Sequence, residues 1–132
     1  MKTLDHLFAG ARFPDLSDFN VDISKWDVSR VTNMNGMFWE ARSFNGDTSK
    51  WDVSSASSMD SMFLGASAFN SDLSGWDVSS VTSMKAMFME ALAFNGDISE
   101  WDVSSVTSMD QMFQSVPLFN SCLLYTSPSP RD

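Results

Sequence analysis

The sequence predicts an α/β repeat solenoid, with one short parallel strand and one short helix per 25-residue copy. Three observations predict it. Trp26, Trp51, Trp76 and Trp101 stand 25 residues apart, and Phe19, Phe44, Phe69, Phe94 and Phe119 keep the same step, each followed by Asn. Within each copy the Trp-x-Val pair has the period of two that puts both side chains on one face of a strand. The following half, Val31-x-x-Met34-x-x-Met37-Phe38-x-x-Ala41, has spacings of three and four that trace one stripe of a short helix. A single copy cannot bury that stripe by itself, whereas stacked copies can.

Four full copies occupy residues 19–43, 44–68, 69–93 and 94–118, and Phe119-Asn120 opens a fifth, so that 19–121 forms the array. Each first half reads Ile23-x-x-Trp26-x-Val28, Thr48-x-x-Trp51-x-Val53, Leu73-x-x-Trp76-x-Val78 and Ile98-x-x-Trp101-x-Val103. Strand pairing would place successive copies ~4.8 Å apart, with Trp over Trp, Met over Met and Phe over Phe. Thr32, Ser57, Thr82 and Thr107 stand two residues before the first Met, where a hydroxyl can cap a helix. Ser57-Ser-Met-Asp60 and Thr107-Ser-Met-Asp110 approximate a capping box. Asn45-Gly46 and Asn95-Gly96 offer turn chemistry with positive φ after each helix. Thr48 and Ala56 stand where other copies carry Ile or Leu and Val, which marks the second copy as the weakest layer. Pro117 cuts the last helix short.

The two ends depart from the pattern. Residues 1–18 read as a degenerate partial repeat, in which Leu4, Leu7, Phe8 and Ala11 take the places of Met34, Met37, Phe38 and Ala41. Met1 then reads as an internal methionine, and no long apolar core of a signal peptide follows it. Residues 122–132, Cys-Leu-Leu-Tyr-Thr-Ser-Pro-Ser-Pro-Arg-Asp, hold the only Cys and the only Tyr. That string resembles the in-frame translation of a transposase-type sequencing-library adapter. A disordered artefact is therefore expected there, with a natural polar tail as the alternative.

Composition narrows the chemistry. Seventeen acidic residues against eight basic ones give a net charge of −9 and an isoelectric point near 4.2. Nucleic acid and anionic membrane surfaces are poor partners for such a chain, while cationic or neutral ones remain open. One Cys and one His, His6, leave neither a disulfide nor a His-based metal or triad site. No run of eighteen apolar residues exists, so no membrane insertion is expected. No nucleophile–base pair or phosphate loop stands out either, so the expectation is a non-enzyme without a cofactor.

The outward residues follow from the inward ones. With Trp and Val in the core, Asp27, Asp52, Asp77 and Asp102 form one exposed file. Lys25, Lys50, Gly75 and Glu100 form a second, and Ser29, Ser54, Ser79 and Ser104 a third. Carboxylates ~4.8 Å apart repel by about 1 kcal/mol in water, so something must offset the Asp file. Three readings stand: hydrogen bonds from nearby backbone or Ser groups, a recognition surface, or a cation site at Asp77, Glu100 and Asp102, where the flanking Lys is lost. Calcium wants six or more oxygens, which three carboxylates do not supply. Asp22, Asp47, Asp72 and Asp97 follow each turn and read as Asx-type turn residues. The ten Met and the Trp column read as core, not as a cofactor box. Trp39 lies outside that column, so exposure would make it a contact residue.

The pattern Phe-Asn-x-Asp-Ile-Ser-x-Trp-Asp-Val-Ser-x-Val-Thr-x-Met-x-x-Met-Phe-x-x-Ala resembles the BspA-like leucine-rich-repeat surface proteins, and more narrowly their mycoplasma-type repeat family of unknown function. It covers residues 3–121. In leucine-rich-repeat terms Ile98, Trp101, Val103 and Val106 take the Leu positions, and no Asn fills the ladder position. The resemblance implies a cell-surface or secreted module for adhesion or protein binding through its exposed strand face. The alternatives are a structural spacer in a long adhesin-like array and, less favoured, cation binding or ice and ordered-water binding.

Overall fold

The computed structural model describes residues 22–116. Among them the chain winds as stacked 25-residue rungs, and each rung is a succession of tight turns rather than a strand and a helix. The rungs run to residue 43, then 44–68 and 69–93, and the last begins at 94.

The helix expected over each Met-x-x-Met-Phe half is absent. Three turns take its place in the first rung, closed by N–H groups of Met37, Trp39 and Ala41 donating to the carbonyls of Met34, Gly36 and Phe38. The third residue of the first and last of these turns has positive φ, 59° at both Gly36 and Glu40, as a type II turn requires. The same two positions are left-handed further down: Ser61 and Gly65, Ala86 and Glu90, Gln111 and Ser115. Spacings of three and four therefore arose from overlapping turns. A helix would need every residue right-handed.

The left-handed residues turn alternate peptide groups toward the next rung. Met34, Gly36, Phe38 and Glu40 donate their N–H groups to the carbonyls of Ser58, Asp60, Met62 and Leu64, at 2.8–3.0 Å. Met59, Ser61, Phe63 and Gly65 repeat this onto Ser83, Lys85, Met87 and Met89, and the third rung repeats it onto the fourth. All of these bonds point the same way along the stack.

The expected strand is also missing. Only isolated parallel bridges, Asn33 to Ser58, Ser58 to Ser83 and Ser83 to Ser108, are present among the described residues. Turns closed by Trp26 N–H to Ile23 carbonyl and by Val31 N–H to Val28 carbonyl leave too little extended chain between them for a ladder. The α/β solenoid with leucine-rich-repeat character is thus overturned for these residues: its helix and strand are both absent.

The core keeps its expected columns. Phe38, Phe63, Phe88 and Phe113 stack with ring centroids 5.4, 5.6 and 5.7 Å apart. Where one rung passes into the next, Phe38 lies 4.3 Å from Phe44, Phe63 4.0 Å from Phe69 and Phe88 4.1 Å from Phe94. Such offset aromatic pairs add about 0.5–1.5 kcal/mol beyond the area they bury. Met34, Met37, Met59, Met62, Met84 and Met87 are fully buried. Trp76 and Trp101 stack at 6.4 Å with rings 1° from parallel. Each Trp also reaches back one rung, Trp51 Nε1 donating to the carbonyl of Ile23, Trp76 Nε1 to Thr48 and Trp101 Nε1 to Leu73, at 2.9–3.0 Å. Trp26, in the first described rung, is 42% exposed.

Several local expectations need correction. Thr82 and Thr107 hydroxyls do not cap helices; they donate to the Ser57 and Thr82 carbonyls one rung back, as Ser57 does to Thr32. Gly46 and Gly96 do not have positive φ, and their constraint is space: a Cβ on Gly46 would lie 2.7 Å from the Phe44 ring. Val103 and Met109, expected inward, are 36% and 40% exposed, because no described rung covers the fourth. Thr48 is fully buried with its hydroxyl unbonded, a cost of about 1–3 kcal/mol to the second rung. The readings of residues 1–18 and 122–132 and of Pro117 lie outside the described residues.

Candidate functional site

The exposed corner of each rung is built on aspartate. Asp27, Asp52, Asp77 and Asp102 each begin an Asx turn, accepting the backbone N–H of the serine two residues on at 3.0 Å. In the first three rungs the hydroxyls of Ser29, Ser54 and Ser79 donate to the same carboxylate oxygen at 2.6 Å. Asp22, Asp47, Asp72 and Asp97 accept the backbone N–H groups of Ser24, Ser49, Ser74 and Ser99 in the same way, at 2.9–3.0 Å. All eight carboxylates lie on the surface, where none suffers appreciable burial. Two parallel files of aspartates therefore run along the stack, one per corner.

These bonds answer the repulsion problem. The carboxyls of Asp27, Asp47, Asp52, Asp77, Asp97 and Asp102 are held below the usual carboxylate range chiefly by the serine hydroxyl, then by its backbone N–H. At Asp22 and Asp72 the backbone N–H comes first and the hydroxyl second. The files are close enough for mutual repulsion to register: Asp77 and Asp27 both push Asp52 upward, but by less than Ser54 pulls it down. Hydrogen bonding wins over like charge.

A pH dependence follows from the sign of these shifts. A carboxyl whose folded pKa is depressed stabilises the fold above its unfolded value and loses that contribution as pH falls through the folded one. Melting temperature should stay flat from neutral pH to about 5, then fall below roughly pH 4, the ordinary Asp value. Replacing the serines at 29, 49, 54 and 79 with Ala should shrink that acid-side loss in thermal melts. An equal loss in the variant would refute the serine clamp.

The remaining sequence-derived residues fall around this corner. Lys25, Lys50 and Glu100 are exposed with Gly75 in the same file, while Ser29, Ser54 and Ser79 are half-buried and Ser104 is exposed. Trp39 is half-buried, not freely exposed, and lies in the turn chain rather than on the Asp corner. Among the described residues no group of three or more His, Cys, Asp or Glu is placed to hold a metal ion, so Asp77, Glu100 and Asp102 are not gathered into a coordination set. No helix among them is long and apolar enough to cross a membrane.

Two polar ladders were missed from sequence. Asn45 Oδ1 accepts the backbone N–H of Asn70 at 2.7 Å, and Asn70 Oδ1 that of Asn95 at 2.8 Å. Asn35 Oδ1 accepts from Ser58 Oγ and the Asp60 N–H, and Asp60 Oδ1 repeats this with Ser83 Oγ and the Lys85 N–H. Asn after every repeat Phe was the available signal for the first. The second runs only as far as Lys85, whose side chain cannot accept.

The family scan decides what these rungs belong to. A model described as "Mycoplasma protein of unknown function, DUF285" matches residues 2–125. The chain belongs to the DUF285 family. No curated protein and no solved structure matches it. Within DUF285 the described part of this chain supplies a fold of stacked turns, two aspartate files and two asparagine-based ladders.

Proposed function

We propose that this DUF285 chain is a non-catalytic binding module of a cell-surface or secreted protein, acting in adhesion through its exposed Asp-Ser corner. One observation carries the reading. Beside the uniform file of Asp27, Asp52, Asp77 and Asp102, the neighbouring exposed file changes from Lys25 and Lys50 to Gly75 and Glu100. Uniform residues build the corner, and varied residues give it a direction along the stack. The resemblance to BspA-like surface proteins supports the placement outside the cell. The net charge of −9 favours protein partners with basic or neutral surfaces over nucleic acid.

The test uses beads coated with the 132-residue chain and an epithelial cell monolayer, with adhering beads counted against albumin-coated beads. Adhesion above albumin is expected, and it should fall severalfold when Asp27, Asp52, Asp77 and Asp102 are all replaced by Asn. Asn retains the Asx turn and removes the charge, so a melt that stays cooperative, lowered as acid lowers the parent's, verifies the fold. Adhesion equal to albumin would favour a structural spacer, and adhesion indifferent to the four substitutions would move the contact elsewhere.

A further inference from the structure

The fourth rung ends the described stack on a face unlike the sides. Val103 and Met109 are 36% and 40% exposed there, whereas Val53 and Val78 are each 1% exposed and Met59 and Met84 fully buried. Ile98, Val106 and Phe113 are only partly buried at the edge of the same core. The apolar surface that each earlier rung hides under its successor is here left open.

Its polar groups carry a sign. In the three earlier rungs the N–H groups at the positions of Met109, Gln111 and Ser115 each donate to a carbonyl of the following rung. In the fourth rung those three N–H groups have no backbone acceptor among the described residues. They point out of the face together, because the left-handed residues Gln111 and Ser115 keep the alternation of the rungs above. An ordinary strand edge offers N–H and C=O in turn. This edge offers donors in a row, framed by Val103 and Met109.

We propose that the fourth-rung face is an interaction surface for a further rung of this same repeat, entering with its carbonyl row first. Only a turn-built rung presents such a row: the carbonyls of Ser108, Asp110, Met112 and Gln114 are the pattern, already satisfied by the third rung. Residues 121–132 do not repeat the Met-x-x-Met-Phe half that bears those carbonyls. A β-strand partner would bring N–H groups of its own between its carbonyls, against this row of donors. Two fourth-rung faces cannot pair row on row, since both bring N–H groups there; the carbonyls that this face offers a following rung, at Ile98 and Thr107, lie outside the row. Association through this face is therefore head-to-tail and never two-fold symmetric.

Two measurements test this. In the first, residues 119–132 are replaced by two tandem copies of the 69–93 sequence, which restores the register. A single unfolding transition above the parent's melting temperature is expected, and peroxide oxidation of Met109 should slow by about tenfold once it is closed into a cooperative unit. A separately melting extension, or Met109 oxidising at the parent rate, would overturn the proposal. The second uses Val103→Cys in a Cys122→Ser background, with Lys50→Cys as the exposed control on the side of the stack. Under air oxidation the Val103→Cys variant should form no more disulfide dimer than the control. Faster dimerisation through the thiol introduced at position 103 would show symmetric face-to-face pairing and overturn the head-to-tail polarity.

Discussion

Replacing Trp76 by Ala is expected to destabilise the fold by about 3–5 kcal/mol, enough to abolish cooperative unfolding in a domain of ordinary stability. The indole is 3% exposed, stacks on Trp101 at 6.4 Å and packs against Phe63 at 6.3 Å. Its removal also takes from the buried Thr48 carbonyl the Nε1 bond at 2.9 Å, leaving it only the Trp51 N–H at 3.1 Å. That second loss falls on the rung that already buries the unbonded Thr48 hydroxyl. Trp26 provides the contrast, because the repeat treats the two residues as equivalent and the structure does not. At 42% exposure Trp26 has far less to lose, and Trp26→Ala should shift the urea midpoint by well under half as much. Equal effects would mean that the stacked column does not hold the rungs together.

The second large effect has the opposite sign from ordinary expectation. Ser61, Ala86 and Gln111 occupy one left-handed column at φ 58°, 54° and 60°. An L-residue there costs roughly 1–2 kcal/mol, of which glycine's greater freedom in the unfolded chain takes back about 0.5–1 kcal/mol. Substituting all three by Gly should stabilise the protein by about 2 kcal/mol in total, allowing for coupling between neighbours in the column. In a helix the same three substitutions would destabilise by about 1 kcal/mol each. Urea titration therefore separates the two architectures by sign: the midpoint rises at unchanged slope for stacked turns and falls for helices.

The period and the core columns were legible because stacking copies themselves demand them. Any arrangement that lays Trp51 over Ile23 and Phe63 over Phe38 needs the same residues at the same step. Backbone conformation was less legible. Apolar spacings of three and four belong to a helix and equally to overlapping type II turns, since both return the chain to the core at those intervals. The discriminating signal was small: Gly36 and Gly65 sit inside the supposed helix, at the two positions that the structure holds left-handed. Ser, Ala, Glu and Gln fill the other copies of those positions and mask it. The Asp corner was readable as hydrogen-bonded, because Ser follows two residues after each Asp. Trp39, at a variable position, is half-buried, so variation along a repeat column does not by itself mark full exposure. The asparagine ladders escaped because the expected Asn position was borrowed from a different repeat geometry.

The Asn45–Asn70–Asn95 ladder, the peptide rows and the Trp Nε1 bonds tie each rung to its neighbour and leave the rung with little beyond its own small turns. That division governs how the fold bears load. Force applied to the two ends of the chain concentrates on the outermost seam, where the few bonds of one interface must fail before the next is strained. Release of one 25-residue rung then lengthens the chain by about 80–90 Å, at 3.3–3.6 Å per residue, and passes the tension to the next seam. A long array of such rungs would lengthen in equal steps under pull.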